Sequence, residues 1–388
     1  MINILFVDDE PELLDGLRNR LWRKWREWHM VFALGGEAAL EALGRHTFDV
    51  VVSDVRMPGV DGIAVLERVR RDQPTAVRIL LSGETGVKVT RHLQVAQQIL
   101  GKPCPIELLE ETITRTQRVR ALISDLKIQR RVGELAVIPS VPELVTELDD
   151  VLMDPNGSLL DAERVILRDP GLAARVLQVA NSGVFGSPRV IHSIEEAVAM
   201  LGIESLKAIA LVHEMRNTVT ARSAEAHSRL LEIQLHSLAV ARVASRFFDE
   251  AALRRSAFAA GLLHEIGTTL LDPEFTAHPA RPRSGEDDPP HCAVGAYAVA
   301  IWGLPYSLVE AVLHHRDPWN ATPNRFDLPA AIYVANQLAE PRWPGPLEVR
   351  PEESELNMDY LESIDVARRL PGWRAMVEEM GAEQRRAA

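Results

Sequence analysis

At 388 residues, with 46% hydrophobic and 25% charged side chains, the chain has an ordinary globular composition and the length for two or three domains, each with a core of its own. Its 43 Lys and Arg against 55 Asp and Glu leave a formal net charge of -12, which argues against broad nucleic-acid contact, because phosphate binding draws on clustered Lys and Arg. The two cysteines, Cys104 and Cys292, lie too far apart in sequence for a disulfide framework or a zinc knuckle and fit a reducing cytoplasm; no run of about 18 apolar residues is present to span a membrane.

The N-terminal stretch MINILFVDDEPEL turns acidic after a short apolar run, unlike a signal peptide. Ile2 to Val7 reads as a strand ending at Asp8-Asp9. A helix follows, with Pro11 near its first turn, Leu13, Leu14, Leu17 and Leu21 on one face, and Trp22, Trp25 and Trp28 near one packing stripe of its later half. Short apolar runs and helical stretches then alternate. Val31–Leu34, Val50–Val52, Val77–Leu81 and Gln98–Leu100 are strands, and Glu37–Leu43 and Ile63–Val69 are helices. Alternating βα units imply a parallel sheet covered on both faces.

In such a sheet the strand ends share a rim, so Asp8 and Asp9, Asp54, Ser82 and Lys102 converge. Crowded carboxylates repel one another unless a cation joins them, and a hard divalent ion with oxygen ligands, Mg2+, resolves that conflict. The constellation suits phosphoryl transfer onto Asp54, with Lys102 as a point charge and the Ser82 hydroxyl as a partner for a new oxyanion.

The segments LFVDDEP, VVSDVRMPGVDG, ILLSGE and LGKPC resemble the receiver domain of two-component response regulators, over residues 1–117. The resemblance implies a flavodoxin-like α/β fold and an acidic pocket in which Asp54 is the phosphoacceptor. It further implies that Asp9, Asp54 and the backbone carbonyl of Arg56 hold Mg2+, that Asp8 acts through a water, and that Ser82 and Lys102 bind the phosphoryl group. Ile99 stands where such domains often carry an aromatic, leaving an aromatic flip without its residue.

Beyond the receiver, the sequence predicts one connector helix over 105–132, since no Pro or Gly interrupts it before Gly133. Its apolar residues Leu109, Ile113, Val119, Ile123 and Leu126 recur at threes and fours with one gap of six, the pattern of a solvated spacer helix or of a dimerising coiled-coil face. From Gly133 on, helical patterns replace the βα alternation. Leu144, Leu148 and Leu152 form one stripe, and Ser193 with Glu196 makes a capping-box signature.

Five histidines then recur at intervals: His236, His264 beside Glu265, His291, and the pair His314-His315. Imidazoles with a carboxylate among them are what zinc, iron or manganese select. With PSVPEL, RDPGLAARVLQVANS, SIEEAVAMLG and AGLLHEIG, their order resembles the HDOD branch of the HD phosphohydrolase superfamily, an all-α regulatory domain that is often not catalytic, over 133–340. The resemblance implies a vestigial metal site at His236, His264, Glu265, His291, His314, His315 and Asn336. Glu265 and Asn336 occupy positions where the superfamily carries Asp, and RDPWNATP replaces the GYP triplet of cyclic-dinucleotide hydrolases. Residues 341–388 read as a linker and an acidic helical tail. The expectation is a multi-domain cytoplasmic regulator, phosphorylated by a histidine kinase, whose HDOD domain binds a protein partner; the alternative is a phosphorylation-gated metal-dependent phosphohydrolase.

Overall fold

The computed structural model describes residues 2–24, 26–83, 92–135, 138–185, 190–217, 223–271, 290–321, 325–339 and 356–387. The first part alternates β1 (Ile2–Asp8), α1 (Pro11–Arg20), β2 (Trp28–Leu34), α2 (Gly35–Arg45), β3 (Val50–Asp54), α3 (Gly62–Asp72), β4 (Val77–Ser82) and β5 (Gln98–Gly101). The sheet order is β2-β1-β3-β4-β5, with every neighbouring pair parallel. That is the doubly wound order of the flavodoxin-like fold. All residues of β3 and β4 are buried, as β-branched strands must be when both faces are covered. Each fully buried Val or Leu there contributes roughly 1.5–3 kcal/mol. The parallel register sets Val7 beside Ser53, Asp54 beside Leu81 and Ser82 beside Gly101.

Two expectations for this half need correction. The first helix stops at Arg20, so Trp22 lies on a short 3-10 turn and is exposed, whereas Trp28 belongs to β2 and is buried; Trp25 lies outside the described residues. The three rings therefore share no helical stripe.

The single connector helix is also broken. Helix α4 (Ile106–Leu122) ends, Ile123 leaves helical geometry, and α5 (Leu126–Glu134) starts anew with the Asp125 carboxylate accepting from Lys127 N–H at 2.7 Å. The Gln129 side-chain amide donates back to Ile123 O at 3.0 Å, satisfying a carbonyl that helix α4 leaves free. Leu109, Ile113, Val119 and Ile123 are buried within this chain, and Leu126 is exposed, so the expected dimerising stripe is spent on intramolecular packing.

The second part is all helical: α6 (Pro142–Met153), α7 (Leu159–Ile166), α8 (Pro170–Ala180), α9 (Ile194–Asn217), α10 (Ala224–Ser245), α11 (Ala251–Leu263), α12 (Ile266–Leu271), α13 (His291–Ile301), α14 (Tyr306–His314), α15 (Leu328–Ala339), α16 (Met358–Ser363) and α17 (Leu370–Ala387). Helix α9 breaks at Gly202, whose φ of +70° only glycine adopts without strain. Ser193 Oγ accepts from Glu196 N–H, the cap read from sequence. Asp169 has a larger role: buried, it caps α8 through Leu172 N–H and also accepts from Val141 N–H and Ser140 Oγ, joining α6 to α8. The tail helices pack onto this core, Trp373 against Phe247 at 4.3 Å between ring centroids and Asn357 N–H donating to Tyr333 Oη.

One apolar cluster runs through both parts, and hydrogen bonds also cross between them. Gln178 Nε2 donates to Gln97 O at 2.9 Å, Arg115 Nη2 to Gln98 Oε1 at 2.9 Å, and Arg131 Nη2 to Leu271 O at 3.0 Å. A Cβ on Gly101 would lie 2.9 Å from Gly183 O, so strand β5 touches the 3-10 turn Gly183–Phe185 backbone to backbone. No helix among the described residues is long and apolar enough to cross a membrane.

Candidate functional site

The rim at the C-terminal ends of β1, β3, β4 and β5 collects the residues expected there. Asp8 and Asp54 are buried, and Lys102, one residue beyond β5, extends its ammonium between them, donating to Asp8 Oδ2 at 3.0 Å and pairing with Asp54 Oδ1. Burial opposes the charge of Lys102, yet the hydrogen bonds and charges of Asp54 and Asp8 outweigh it and hold its pKa above the usual lysine value. Backbone donors fix the acids: Arg56 N–H donates to Asp54 Oδ2 at 2.8 Å and Glu10 N–H to Asp8 Oδ1 at 3.0 Å. Gly62 lets α3 start against the end of β3, since a Cβ there would lie 1.8 Å from Asp54 O. Lys102 N–H donates to Ser82 O at 2.8 Å, tying the two phosphoryl-ligand candidates together. Asp9 is half-buried beside Asp8, and Ile99 is buried in β5. The metal-ligand candidates expected here, the carboxylates of Asp8, Asp9 and Asp54 and the Arg56 carbonyl, are all oxygens, the set that suits Mg2+ rather than a softer ion.

In the helical part the cluster forms around Glu265, which sits between α11 and α12. Its Oε1 lies 3.9 Å from His264 Nε2, 3.5 Å from His291 Nε2 and 3.6 Å from His315 Nε2, while Thr268 Oγ1 donates to Oε2. His236 Nε2 and His264 Nε2 are 3.2 Å apart, and His291 Nε2 and His315 Nε2 are 3.3 Å apart. Nδ1 of His264 donates to Gly261 O at 2.7 Å and Nδ1 of His315 to Val312 O at 2.8 Å, which leaves both Nε2 atoms facing the cluster. Asn336 lies against His236, and its buried Oδ1 has no hydrogen-bond partner among the described residues.

Two adjustments to the expected set follow. His314 does not join: its Nδ1 turns to Asp317 Oδ1 at 3.4 Å, because its neighbour His315 takes the inward direction on the last turn of α14. Cys292 does join, its Sγ 3.4 Å from His291 Nε2 and 3.7 Å from His315 Nε2. The signal was its place directly after His291 at the start of α13, where the first turn brings both side chains to one spot.

Burial opposes charge throughout the cluster, but the imidazoles hold Glu265 well below the usual carboxylate range. Burial likewise opposes a thiolate at Cys292, yet His291 and His315 bring its pKa down to about 6. Glu265 and Cys292 in turn raise His291 to about 9, whereas burial pushes His264 well below the ordinary histidine value.

Three family models match the chain: a response regulator receiver domain over 4–114, an HDOD domain over 138–283 and an HD domain over 234–364. The transcriptional activator protein PfeR of Pseudomonas aeruginosa is 34% identical over 119 residues, 30% of this chain and 38% of that protein. The probable transcriptional regulatory protein TcrX of Mycobacterium tuberculosis is 33% identical over 158 residues, 40% of this chain and 60% of that protein. The chain thus spans less than two thirds of the length of these curated relatives. Among solved structures, the signal receiver domain of an HD domain-containing protein from Pseudomonas fluorescens is 25% identical over 31% of this chain and 98% of its own, with a TM-score of 0.29. The MmoQ response regulator of Methylococcus capsulatus is 18% identical over 59% of this chain and 94% of its own, with a TM-score of 0.43.

Proposed function

From a chain that joins a response regulator receiver domain to an HDOD domain, we propose that Asp54 accepts a phosphoryl group from a histidine kinase and that the HDOD domain answers as a non-catalytic, protein-binding output in the cytoplasm. The observation that carries this reading is the Lys102 ammonium held between buried Asp8 and Asp54 at the sheet rim. An Asp54 carboxylate oxygen attacks phosphorus, the bond to the donor histidine nitrogen breaks, and the carboxylate becomes an acyl phosphate. Asp9, Asp54 and the Arg56 carbonyl would hold Mg2+, with Asp8 acting through a water; the ion supplies charge neutralisation for the incoming phosphate.

The modification replaces one negative charge by about two and adds acceptor oxygens. Lys102 then has a stronger partner than Asp8, and the Ser82 hydroxyl can bind the new oxyanion. Both adjoin Gly101, whose backbone meets Gly183 of the helical part, so a shift at this rim bears directly on the HDOD domain. A phosphohydrolase built on His236, His264, Glu265, His291 and His315 is the competing reading. Glu265 is longer than the Asp it would replace, and Asn336 is uncharged, both unfavourable to an open hydrolytic centre.

Acetyl phosphate with Mg2+ should label the wild type but not Asp54→Asn, read by phosphate-affinity electrophoresis or intact mass. Equal labelling of both would sink the assignment of the acceptor. Turnover of phosphodiester substrates by the purified chain, lost in His264→Ala, would instead favour the hydrolase.

A further inference from the structure

We propose that the end of the receiver sheet farthest from Asp54 is a membrane-contact surface, built on exposed Trp22 with Arg20, Arg23 and Arg26, that seats on anionic phospholipid headgroups. This inference goes beyond the signalling reading and does not depend on it. The sequence concentrates positive charge here: residues 18–29 carry five basic side chains against the single acid Glu27, in a chain whose net charge is -12.

Ion pairs divide these basic residues into two sets. Arg18 pairs with Asp15 and lies over the Phe32 ring, and Lys24 pairs with Glu110 and lies over Trp28. Those two are used within the fold. Arg20, Arg23 and Arg26 are exposed and have no acidic partner among the described residues. The favourable placing of cations at a helix C-terminus accounts for Arg20, in the last turn of α1, but Arg23 and Arg26 lie past that helix.

Trp22 adds an apolar member. Leu21 and Trp28 on either side of the turn are buried, whereas Trp22 stands on the 3-10 turn with 62% of its surface exposed. An indole left in water forgoes most of the burial that so large a ring contributes elsewhere. The Arg23 guanidinium lies 5.7 Å from its ring centroid. A bilayer interface satisfies both groups at once: the indole body meets the acyl boundary, its N–H meets headgroup oxygens, and the guanidinium meets phosphate. Single-stranded nucleic acid suits the patch less, because stacking needs a ring face and Arg23 already covers one.

A groove of about 520 Å3 opens at the same end, where Asn3 of β1 and His29 of β2 pair in register. His29, Arg45, His46 and Thr47 line it with hydrogen-bond donors, and the acid on its wall, Asp72, is engaged by Arg68 and Arg71. It has room for a phosphorylated headgroup. Strand β1 runs about 20 Å from Ile2 at this end to Asp8 at the rim. The lipid-facing end and the phosphoacceptor therefore point opposite ways, and a chain held on a bilayer keeps Asp54 open to its donor.

The test is co-sedimentation of the full chain with vesicles of phosphatidylcholine alone and of phosphatidylcholine mixed with phosphatidylglycerol. Salt is set at about 0.1 M and about 1 M, between which the screening length falls from about 10 Å to about 3 Å. The chain should bind the mixed vesicles at the lower salt, leave them at the higher, and ignore the neutral ones. The triple variant Arg20→Gln, Arg23→Gln, Arg26→Gln should bind the mixed vesicles about 100-fold more weakly. Brominated acyl chains should quench a part of the wild-type tryptophan fluorescence that is missing in Trp22→Phe. Both variants change exposed side chains and should keep the wild-type melting temperature, which separates a lost surface from a lost fold. No sedimentation with mixed vesicles, equal binding to neutral ones, undiminished binding of the triple variant, or tighter binding of a single-stranded oligonucleotide than of mixed vesicles at the same salt would each overturn the proposal.

Discussion

In the sheet half two buried carboxylates, Asp8 and Asp54, share one ammonium carried on the four-carbon stem of Lys102; in the helical half one carboxylate, Glu265, faces imidazoles of which His264 and His315 are pinned by their own backbones. The stem of Lys102 has several rotatable bonds and can follow a new charge arriving on Asp54. The pinned rings cannot move without breaking a buried hydrogen bond to a carbonyl three residues back. The difference teaches what each centre suits: the first can switch, and the second can only hold. It also explains why one fold can carry both, since each set is placed by a different kind of element, strand ends in one and helix ends in the other.

The largest expected effect comes from the two glycines that let each centre close. Gly62→Ala would set a methyl 1.8 Å from Asp54 O, and Gly267→Ala would set one 1.9 Å from His291 O. Both partners are backbone, which cannot rotate away, so each change should cost about 3 kcal/mol, at the upper end of overpacking. Thermal melts should show both losses, but only Gly62→Ala should abolish acetyl-phosphate labelling. If Gly267→Ala abolishes labelling as well, the halves do not fold as separable units and the contrast between them fails.

The receiver pocket was legible because its chemistry sits at strand ends. Once Val50–Asp54 is read as a buried strand, parallel pairing alone carries Asp8, Ser82 and Lys102 to its rim. The helical cluster was half legible: His236, His264, Glu265, His291 and His315 meet, but helical spacing does not say which of two adjacent histidines turns inward, and His314 turned out. Cys292 was passed over because a cysteine without a second cysteine nearby suggests no metal, although its neighbour His291 supplied the partner. The break at Ile123 was missed because Asp125 and Gln129 read as ordinary helix-surface residues, and only the fold reveals them as caps for two successive helix ends.

A smaller effect probes whether Lys102 is indeed held by the acids. Lys102→Met should cost about 1–2 kcal/mol at neutral pH, less than a fully buried pair because the side chain keeps contact with solvent. Its pKa is raised in the folded state, so its contribution is fully present below the unfolded lysine value of about 10.5 and disappears only as the pH climbs through the higher folded value. The stability gap between wild type and variant, measured by urea unfolding, should therefore be flat from about pH 6 to 9 and narrow only above about 10.5. A gap that shrinks already below pH 9 would mean that the acids do not hold the ammonium.

The smallest effect tests how the mobile centre reaches the fixed half. Gln178 is buried, donates to Gln97 O and accepts from Arg175 Nη1 at 2.7 Å, while Arg175 reaches Leu93 O at 3.4 Å. These bonds grip the chain just before β5, the strand that delivers Lys102. Gln178→Ala leaves Gln97 O without this donor and should cost about 1 kcal/mol. Phosphorylation should alter amide exchange in residues 93–101 of both proteins, since that response needs only the sheet rim. In residues 170–180 the response should be clear in the wild type and reduced in the variant, because the rigid bond that transmits it is gone. Equal responses in both would place the coupling elsewhere on the interface, at Arg115 with Gly303 or at Gly101 with Gly183, where the two backbones meet directly.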